Sequence, residues 1–284
     1  MKKLLSTLTI SLLLVFSLNS FVFAVDKDIE IIQKDMQKKV DAKNGKPLDK
    51  THFYEIFKSM DAEIGYTEFY NNTTPDDPDI EEKFKNLAKR VDQYNKKHGY
   101  ENTFDLEQII NSENLFEISV DMGGGNGDGV NQLYVETYDT GDICLIDNPG
   151  GHLQGEIQHA GMMDKRLFYN YDSLCFLTAQ PNLGVIYESP NTYRNNYDDA
   201  YSCMVFDVTD SQRVSAVALA DNYIGQSYYW YASKTDTTKW YCSKVPWYGY
   251  NNAVSVDIDA DGGYWVIPSD ILYDSNIYCW SHWE

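Results

Sequence analysis

The sequence has 284 residues and a formal net charge of −20. Such acidity argues against binding to a nucleic-acid backbone, which requires clustered Lys and Arg. The length suits one large domain or two small ones, and the 23 Tyr and 6 Trp residues favour a packed, β-rich fold or an aromatic-lined cleft.

The first 24 residues have the layout of a secretory signal peptide. Lys2 and Lys3 precede an apolar run over residues 4–23, and Ala24 supplies the small residue that precedes a cleavage site. The run is long enough to span a bilayer, so a retained anchor is the alternative. The small residue at the end of the apolar run and the lack of a basic segment after it favour cleavage. We therefore expect a secreted protein with no membrane span once the signal peptide is removed.

Residues 25–122 are predicted to form a helical N-terminal region, because apolar residues recur there at helical spacing. A Pro-rich breaker ends at Pro78, and Asp79 can then cap a helix. The apolar positions are Ile29, Ile32, Met36 and Val40; Phe53, Ile56, Phe57 and Met60; Ile80, Phe84, Leu87 and Val91; and Leu106, Ile109 and Ile110. This region carries no chemical motif, so we interpret it as a prodomain, spacer or docking module.

A glycine-rich segment, residues 123–130, is predicted to link this region to a second domain, residues 131–284. Glycine at this density gives a flexible connector, and no Lys-Ser or Lys-Thr pair follows it, as a Walker-type loop would require. We therefore expect few contacts across the segment and a helical region that can be removed. The alternative is an inhibitory prosegment that packs over the active site.

Beyond residue 130, short β-prone runs alternate with turns and are followed by helices, which predicts an α+β domain. The predicted strands cover residues 132–138, 142–146, 158–163, 174–178, 185–188 and 202–208. A helix is predicted over residues 211–223 with Asp210 as its cap, and another from Ser243 onward.

All five cysteines lie in the second half of the chain. An odd number leaves at least one thiol unpaired within a single chain. An exported protein can form disulfides, but Cys144, Cys175 and Cys203 lie in apolar, strand-like runs. We therefore expect these three to be simply buried. The other two are Cys242 and Cys279.

Cys242 stands where a predicted helix begins. The first backbone N–H groups of a helix lack intrahelical partners, and the helix dipole adds partial positive charge, so both effects favour a reactive thiolate. Pro246 is tolerated only in the first turn, which supports a helix that starts near Cys242. A buried structural cysteine is the alternative.

A nucleophilic cysteine needs a base, and the two well-placed candidates are His159 and His152. His159 lies in an apolar, strand-like run that can hold the ring rigidly, whereas His152 follows Gly150 and Gly151 in a predicted mobile loop. Because a catalytic base needs fixed geometry, we favour His159.

Five motifs, which follow one another along the chain, support the pairing of Cys242 with His159. They are Gly141-Asp142-Ile143, His159-Ala160-Gly161, Gly225 to Tyr228, Tyr241-Cys242-Ser243 with Trp247 after it, and Pro268-Ser269-Asp270-Ile271. Together they cover about half of the chain and resemble the permuted papain-like amidases of the YiiX/YaeF type, relatives of the NlpC-type cell-wall hydrolases. The resemblance implies a permuted papain-like catalytic domain in which the histidine precedes the cysteine.

The resemblance also implies a third catalytic residue on the strand that follows His159. Thr178 falls on that position, and Gln180 lies on the same strand face. Either side chain can accept the imidazole N–H and fix its tautomer. Neither stabilises an imidazolium as a carboxylate would, so an orienting residue from elsewhere is the alternative.

The sequence thus predicts a secreted cysteine hydrolase, with Cys242 as nucleophile and His159 as base, that cleaves an amide in peptide or cell-wall material. No cofactor, metal or nucleic acid is expected. The alternatives are a lipid amide or ester hydrolase, an acyltransferase, and a non-catalytic binding or adhesion protein on the same fold.

The acidic segment from Asp257 to Gly262 begins like a calcium-binding loop. A complete loop needs Glu at its twelfth position, where this chain has Pro268. We interpret the segment as a solvated turn, with a calcium site as the alternative.

Overall fold

A computed structural model describes residues 33–43, 47–102, 104–112, 130–230 and 232–284. The predicted signal peptide and residues 123–129 of the predicted linker lie outside these ranges. None of the helices in this part of the chain combines the length and the apolar character that a membrane span requires.

The described part of the N-terminal region is helical, as predicted. Its helices are α1 over residues 33–42, α2 Thr51–Ile64, α3 Tyr66–Asn71, α4 Ile80–His98 and α5 Leu106–Asn111. The four predicted apolar positions of α4 are all buried. Asp79 stands at the start of α4, but its side chain makes no capping hydrogen bond.

The second half is built on an antiparallel six-stranded sheet in the order β4-β3-β2-β1-β5-β8. These strands are β1 Ile143–Asp147, β2 His159–Met163, β3 Phe176–Gln180, β4 Gly184–Glu188, β5 Asp199–Val205 and β8 Ile277–Trp283. A short parallel pair joins β6 Ser227–Tyr228 to β7 Lys239–Trp240. The helices are α6 Pro190–Asn195, α7 Asp210–Asp221, α8 Lys244–Val254 and α9 Pro268–Tyr273.

Alternate residues of the sheet belong to two buried clusters. Leu145, Ala160 and Leu177 share one cluster with residues of α7 and α8. Met163 and Phe176 share the other with residues of α1 and α6. The period of two along each strand places successive side chains on opposite faces. Helices therefore pack against both faces of the antiparallel sheet. This arrangement confirms the predicted α+β fold class.

One strand prediction is wrong, and one strand of the six-stranded sheet was missed. Residues 132–138 form no strand, because side chains rather than a neighbouring strand bond their backbone: Lys165 Nζ donates to the carbonyls of Val135 and Glu136, at 2.9 and 3.1 Å. Strand β8 was not predicted, although it pairs with β5 over its whole length. The N-cap of α7 is Thr209 rather than Asp210, because Thr209 and Gln212 form a reciprocal capping box.

The pairing of β8 with β5 also explains which cysteines form a disulfide. Cys203 and Cys279 lie opposite each other on β5 and β8 and form a disulfide. Cys144 and Cys175 are free and buried, as expected. The expectation of simple burial for Cys203 is wrong, since its partner lies on the strand that the sequence pattern did not indicate.

The helical region and the sheet domain share one core, so the expectation of few contacts between them is wrong. Phe69 and Tyr70 of α3 belong to the same buried cluster as Trp230 and Trp265 of the second half. Phe69 stacks on Trp265, and Tyr70 meets Trp230 edge to face. These aromatic contacts bury large apolar surfaces from both regions.

A buried charge network joins α1 to the Gly141-Asp142-Ile143 motif. Lys43 Nζ lies 2.5 Å from one oxygen of Asp142, and Arg213 of α7 lies 3.1 Å from the other. All three side chains are almost fully buried. Gly141 has a φ of +91°, and its carbonyl accepts the Tyr250 hydroxyl at 2.7 Å, so the motif fixes the entry to β1.

Candidate active site

Cys242 lies next to Ser243, the N-cap of α8, close to the helix start that the sequence predicted, and is only 3% exposed. Both of its neighbours are tied to Val266: the Ser243 hydroxyl donates to the Val266 carbonyl at 2.7 Å, and the Tyr241 hydroxyl accepts from the Val266 N–H at 3.2 Å. Pro246 lies in the first turn of α8, where its missing N–H costs little. The thiol is therefore held rigidly at a helix N-terminus.

His159 begins β2 and is 1% exposed. Its ring lies parallel to the ring of Tyr197, with centroids 6.4 Å apart, and lies 5.8 Å from that of Tyr193. Gly161 is required two residues later, because a Cβ atom there would collide with the Tyr193 hydroxyl. Aromatic packing thus explains the spacing of the His159-Ala160-Gly161 motif.

Three side chains approach the Nε2 atom of His159. Glu188 Oε2 lies at 3.0 Å, Thr178 Oγ1 at 3.2 Å and Gln180 Nε2 at 3.4 Å. Thr178 donates its own proton to the Ala160 carbonyl at 2.7 Å, and Gln180 donates to Glu188 Oε1 at 2.8 Å. The carboxylate of Glu188 is thus the principal acceptor, with Thr178 and Gln180 supporting it.

Glu188 was not predicted, because the sequence analysis looked for the third residue on β3 and the carboxylate comes from β4. The β3–β4 register pairs Phe176 with Glu188 and Thr178 with Ile186, so Glu188 shares a sheet face with Thr178 and Gln180. An acidic residue in an otherwise apolar strand next to the predicted one was the available signal.

The side chains of His159 and Glu188 carry charge although both are buried. Burial acts to lower the pKa of His159, but charge and hydrogen bonding with Cys242 and then with Glu188 raise it to about 10. Burial acts to raise the pKa of Glu188, yet the hydrogen bond and the charge of His159 hold it below its usual value. A charged His159 therefore lies between Cys242 and a charged Glu188.

His152, the other candidate base, is also buried rather than placed on a mobile loop. Its Nε2 atom lies 2.8 Å from the Asn148 carbonyl and 2.9 Å from Asp147 Oδ1. Its own carbonyl accepts the Tyr66 hydroxyl at 2.5 Å. These contacts link the β1–β2 loop to the helical region, which is a structural role.

The acidic segment from Asp257 is largely engaged by protein groups. Asp257 accepts the Trp247 indole N–H at 2.8 Å, and Asp259 pairs with Lys234. Two groups among the described residues bring carboxylates or histidine close enough to hold a metal: Asp259, Asp261 and Asp270, and Asp199, His282 and Glu284. In the first group Lys234 already balances part of the negative charge.

No family model matches the sequence, and the search of curated proteins found no match. Among solved structures, the chain is similar to the crystal structure of the metalloprotein yiiX from Escherichia coli O157:H7. The sequences are 16% identical, the TM-score is 0.40, and the match covers 50% of this chain and 95% of that one.

Proposed function

We propose that the protein is a cysteine hydrolase in which Cys242 is the nucleophile, His159 the acid and base, and Glu188 the residue that orients His159. The observation that carries this proposal is the buried series Cys242–His159–Glu188, with Glu188 3.0 Å from the imidazole. Burying three titratable groups together is costly unless their charges are paired. A site of activated nucleophile, base and orienting acceptor explains that arrangement.

The proposed reaction has two steps, and the geometry of the three side chains supports them. The Cys242 sulfur attacks the substrate carbonyl and forms a C–S bond, and the imidazolium of His159 protonates the departing amine as the C–N bond breaks. Water then attacks the thioester while neutral His159 removes its proton. The C–S bond breaks as the acid leaves, and the thiolate of Cys242 and the imidazolium of His159 are restored. Glu188 accepts from Nε2 throughout, so that the other ring nitrogen, Nδ1, is the one available to the thiol.

We propose that the substrate is an amide bond of peptide or cell-wall material, and the resemblance of the motifs to cell-wall amidases supports this class. Secretion is part of the proposal. The signal-peptide pattern supports it, and the Cys203–Cys279 disulfide suits an oxidising compartment.

The test is turnover of purified cell-wall stem peptides by the native protein and by Cys242→Ala. Cys175→Ala is the matched control, because Cys175 is also a free, buried thiol but lies directly before β3, outside the series. We expect no turnover with Cys242→Ala, full turnover with Cys175→Ala and unchanged thermal unfolding of both. Retained turnover in Cys242→Ala would rule out the mechanism, and a native protein that binds stem peptides without cleaving them would support the binding alternative.

A further inference from the structure

A small cavity adjoins Cys242. Its volume is about 10 Å³, which is room for a single water-sized group. Besides Cys242, the side chains of Trp265 and Gln154 line it, together with other aromatic and apolar residues. A cavity of this size next to a nucleophile fits one oxygen atom of a substrate.

Trp265 brings an unused donor to this place. The side chain is 3% exposed, and its indole N–H has no hydrogen-bond partner among the residues that the structure describes. A buried donor without an acceptor costs free energy, and the side chain that carries this one lines the cavity beside the thiol. The next residue, Val266, bonds both neighbours of Cys242, which fixes Trp265 beside the thiol.

Gln154 brings an amide to the same cavity from the β1–β2 loop. Around it, His152 and Gly155 exchange backbone hydrogen bonds of 3.2 and 3.3 Å. The Leu153 carbonyl accepts the Tyr70 hydroxyl at 2.8 Å, so α3 holds the loop from the other side. The backbone on both sides of Gln154 is therefore fixed, and its 4% exposed side chain lines the cavity.

We propose that this cavity is the oxyanion hole, with the Trp265 indole N–H and the Gln154 side-chain amide as donors beside the Cys242 backbone N–H. This inference rests on the proposed function. As the C–S bond forms, the carbonyl π electrons move to oxygen, and the donors stabilise that negative charge until the C–N bond breaks and the carbonyl re-forms. Donors placed in advance in a dry site are the most effective stabilisers of such a charge.

The helical region then positions the donors. Tyr70 bonds the loop that carries Gln154, and its ring packs edge to face on Trp265 with centroids 6.0 Å apart. Phe69 stacks on the same indole. A region without chemical residues of its own thus acts on the reaction by holding both donors in place.

Two reagents that attack the same thiol separate this role from nucleophile activation. p-Nitrophenyl acetate acylates Cys242 through a tetrahedral oxyanion, whereas iodoacetamide alkylates it by displacement without one. We expect Trp265→Phe and Gln154→Met each to slow acylation by roughly 10²–10³-fold and to leave alkylation unchanged. Trp280→Phe is the matched control, because Trp280 is also buried and its indole N–H also lacks a partner within the described ranges, but it lies in the other cluster.

Tyr70→Phe removes only the hydrogen bond to Leu153, and we expect it to lower acylation relative to alkylation to a smaller degree. Unchanged acylation in both donor variants, or equal losses in the two reactions, would overturn the proposed hole. Should Trp265→Phe fail to fold, Gln154→Met alone decides. A native Cys242 that reacts with neither reagent would contradict the proposed function itself and this inference with it.

Discussion

His159 and Glu188 meet at 3.0 Å although their strands are not neighbours, since β3 lies between β2 and β4. Gln180 on the intervening strand bridges the gap by donating to the other carboxylate oxygen. The pair therefore depends on the register of three strands, and the buried sheet fixes the orientation of the imidazole more firmly than a loop would.

Glu188→Gln keeps the shape of this contact and removes its charge. We expect the pKa of His159 to fall from its value of about 10, because a neutral amide no longer stabilises the imidazolium. The measurement is a pH titration of the His159 ring by ¹⁵N NMR, assigned with His159→Gln. Thr178→Val is the control, since Thr178 is uncharged, and it should shift the pKa less than Glu188→Gln. An unchanged titration in Glu188→Gln would exclude Glu188 as the partner.

The raised pKa of His159 also makes stability depend on pH. The folded value is about 10, above the unfolded value of about 6.5. The stabilisation is therefore fully present below pH of about 6.5 and is lost as the pH rises through about 10. Relative to His159→Gln, which does not titrate, the native protein should lose on the order of 1–3 kcal/mol between neutral and alkaline pH. Urea unfolding of both proteins at each pH measures this, and a constant difference would contradict a charged His159.

Asp142→Asn tests the network that joins α1 to the sheet. The change leaves Lys43 and Arg213 as buried cations without their shared carboxylate, and we expect a loss of about 3–5 kcal/mol in the free energy of unfolding. Glu63→Gln is the control, because it breaks the exposed pair with Lys97, and solvent screening makes the contribution of such a pair to stability small. Equal losses in the free energy of unfolding would show that the buried network contributes no more to stability than the exposed pair does.

The shared aromatic core leads to a prediction about truncation. A fragment of residues 130–284 exposes Trp230 and Trp265, which α3 and α4 cover in the whole chain. We expect this fragment to lack cooperative unfolding, the opposite of what the glycine-rich segment suggests. Thermal and urea unfolding of the fragment beside the full chain measure this, and a soluble fragment with a sharp transition would restore the helical region as a separate unit.

Local patterns in the sequence predicted much of this fold. The helical spacing of α4, the strand around His159 and the helix after Cys242 all follow from side chains that lie close together in the chain. These local patterns could not predict which distant residues pair with each other. The pairing of β8 with β5 brings residues more than 70 positions apart together, as in Cys203 and Cys279, and no local pattern encodes that register.

The candidate site likewise contains residues that the sequence predicted and residues that depend on long-range packing. Cys242 and His159 were predicted from their own surroundings together with the resemblance of the motifs, and Thr178 and Gln180 from the strand on which that resemblance places a third residue. Glu188 needed the register of a further strand, and the contacts of Trp265 with Phe69 and Tyr70 needed the packing of two regions separated by a glycine-rich segment.

The most direct test of the Cys242–His159 pair is the rate of Cys242 alkylation by iodoacetamide at neutral pH. It should be compared in the native protein, His159→Gln and His152→Gln, with thermal unfolding as a check on folding. We predict fast labelling in the native protein and in His152→Gln, and a large decrease in His159→Gln. Native labelling as slow as that of an ordinary free thiol, or a decrease confined to His152→Gln, would contradict the proposed pair.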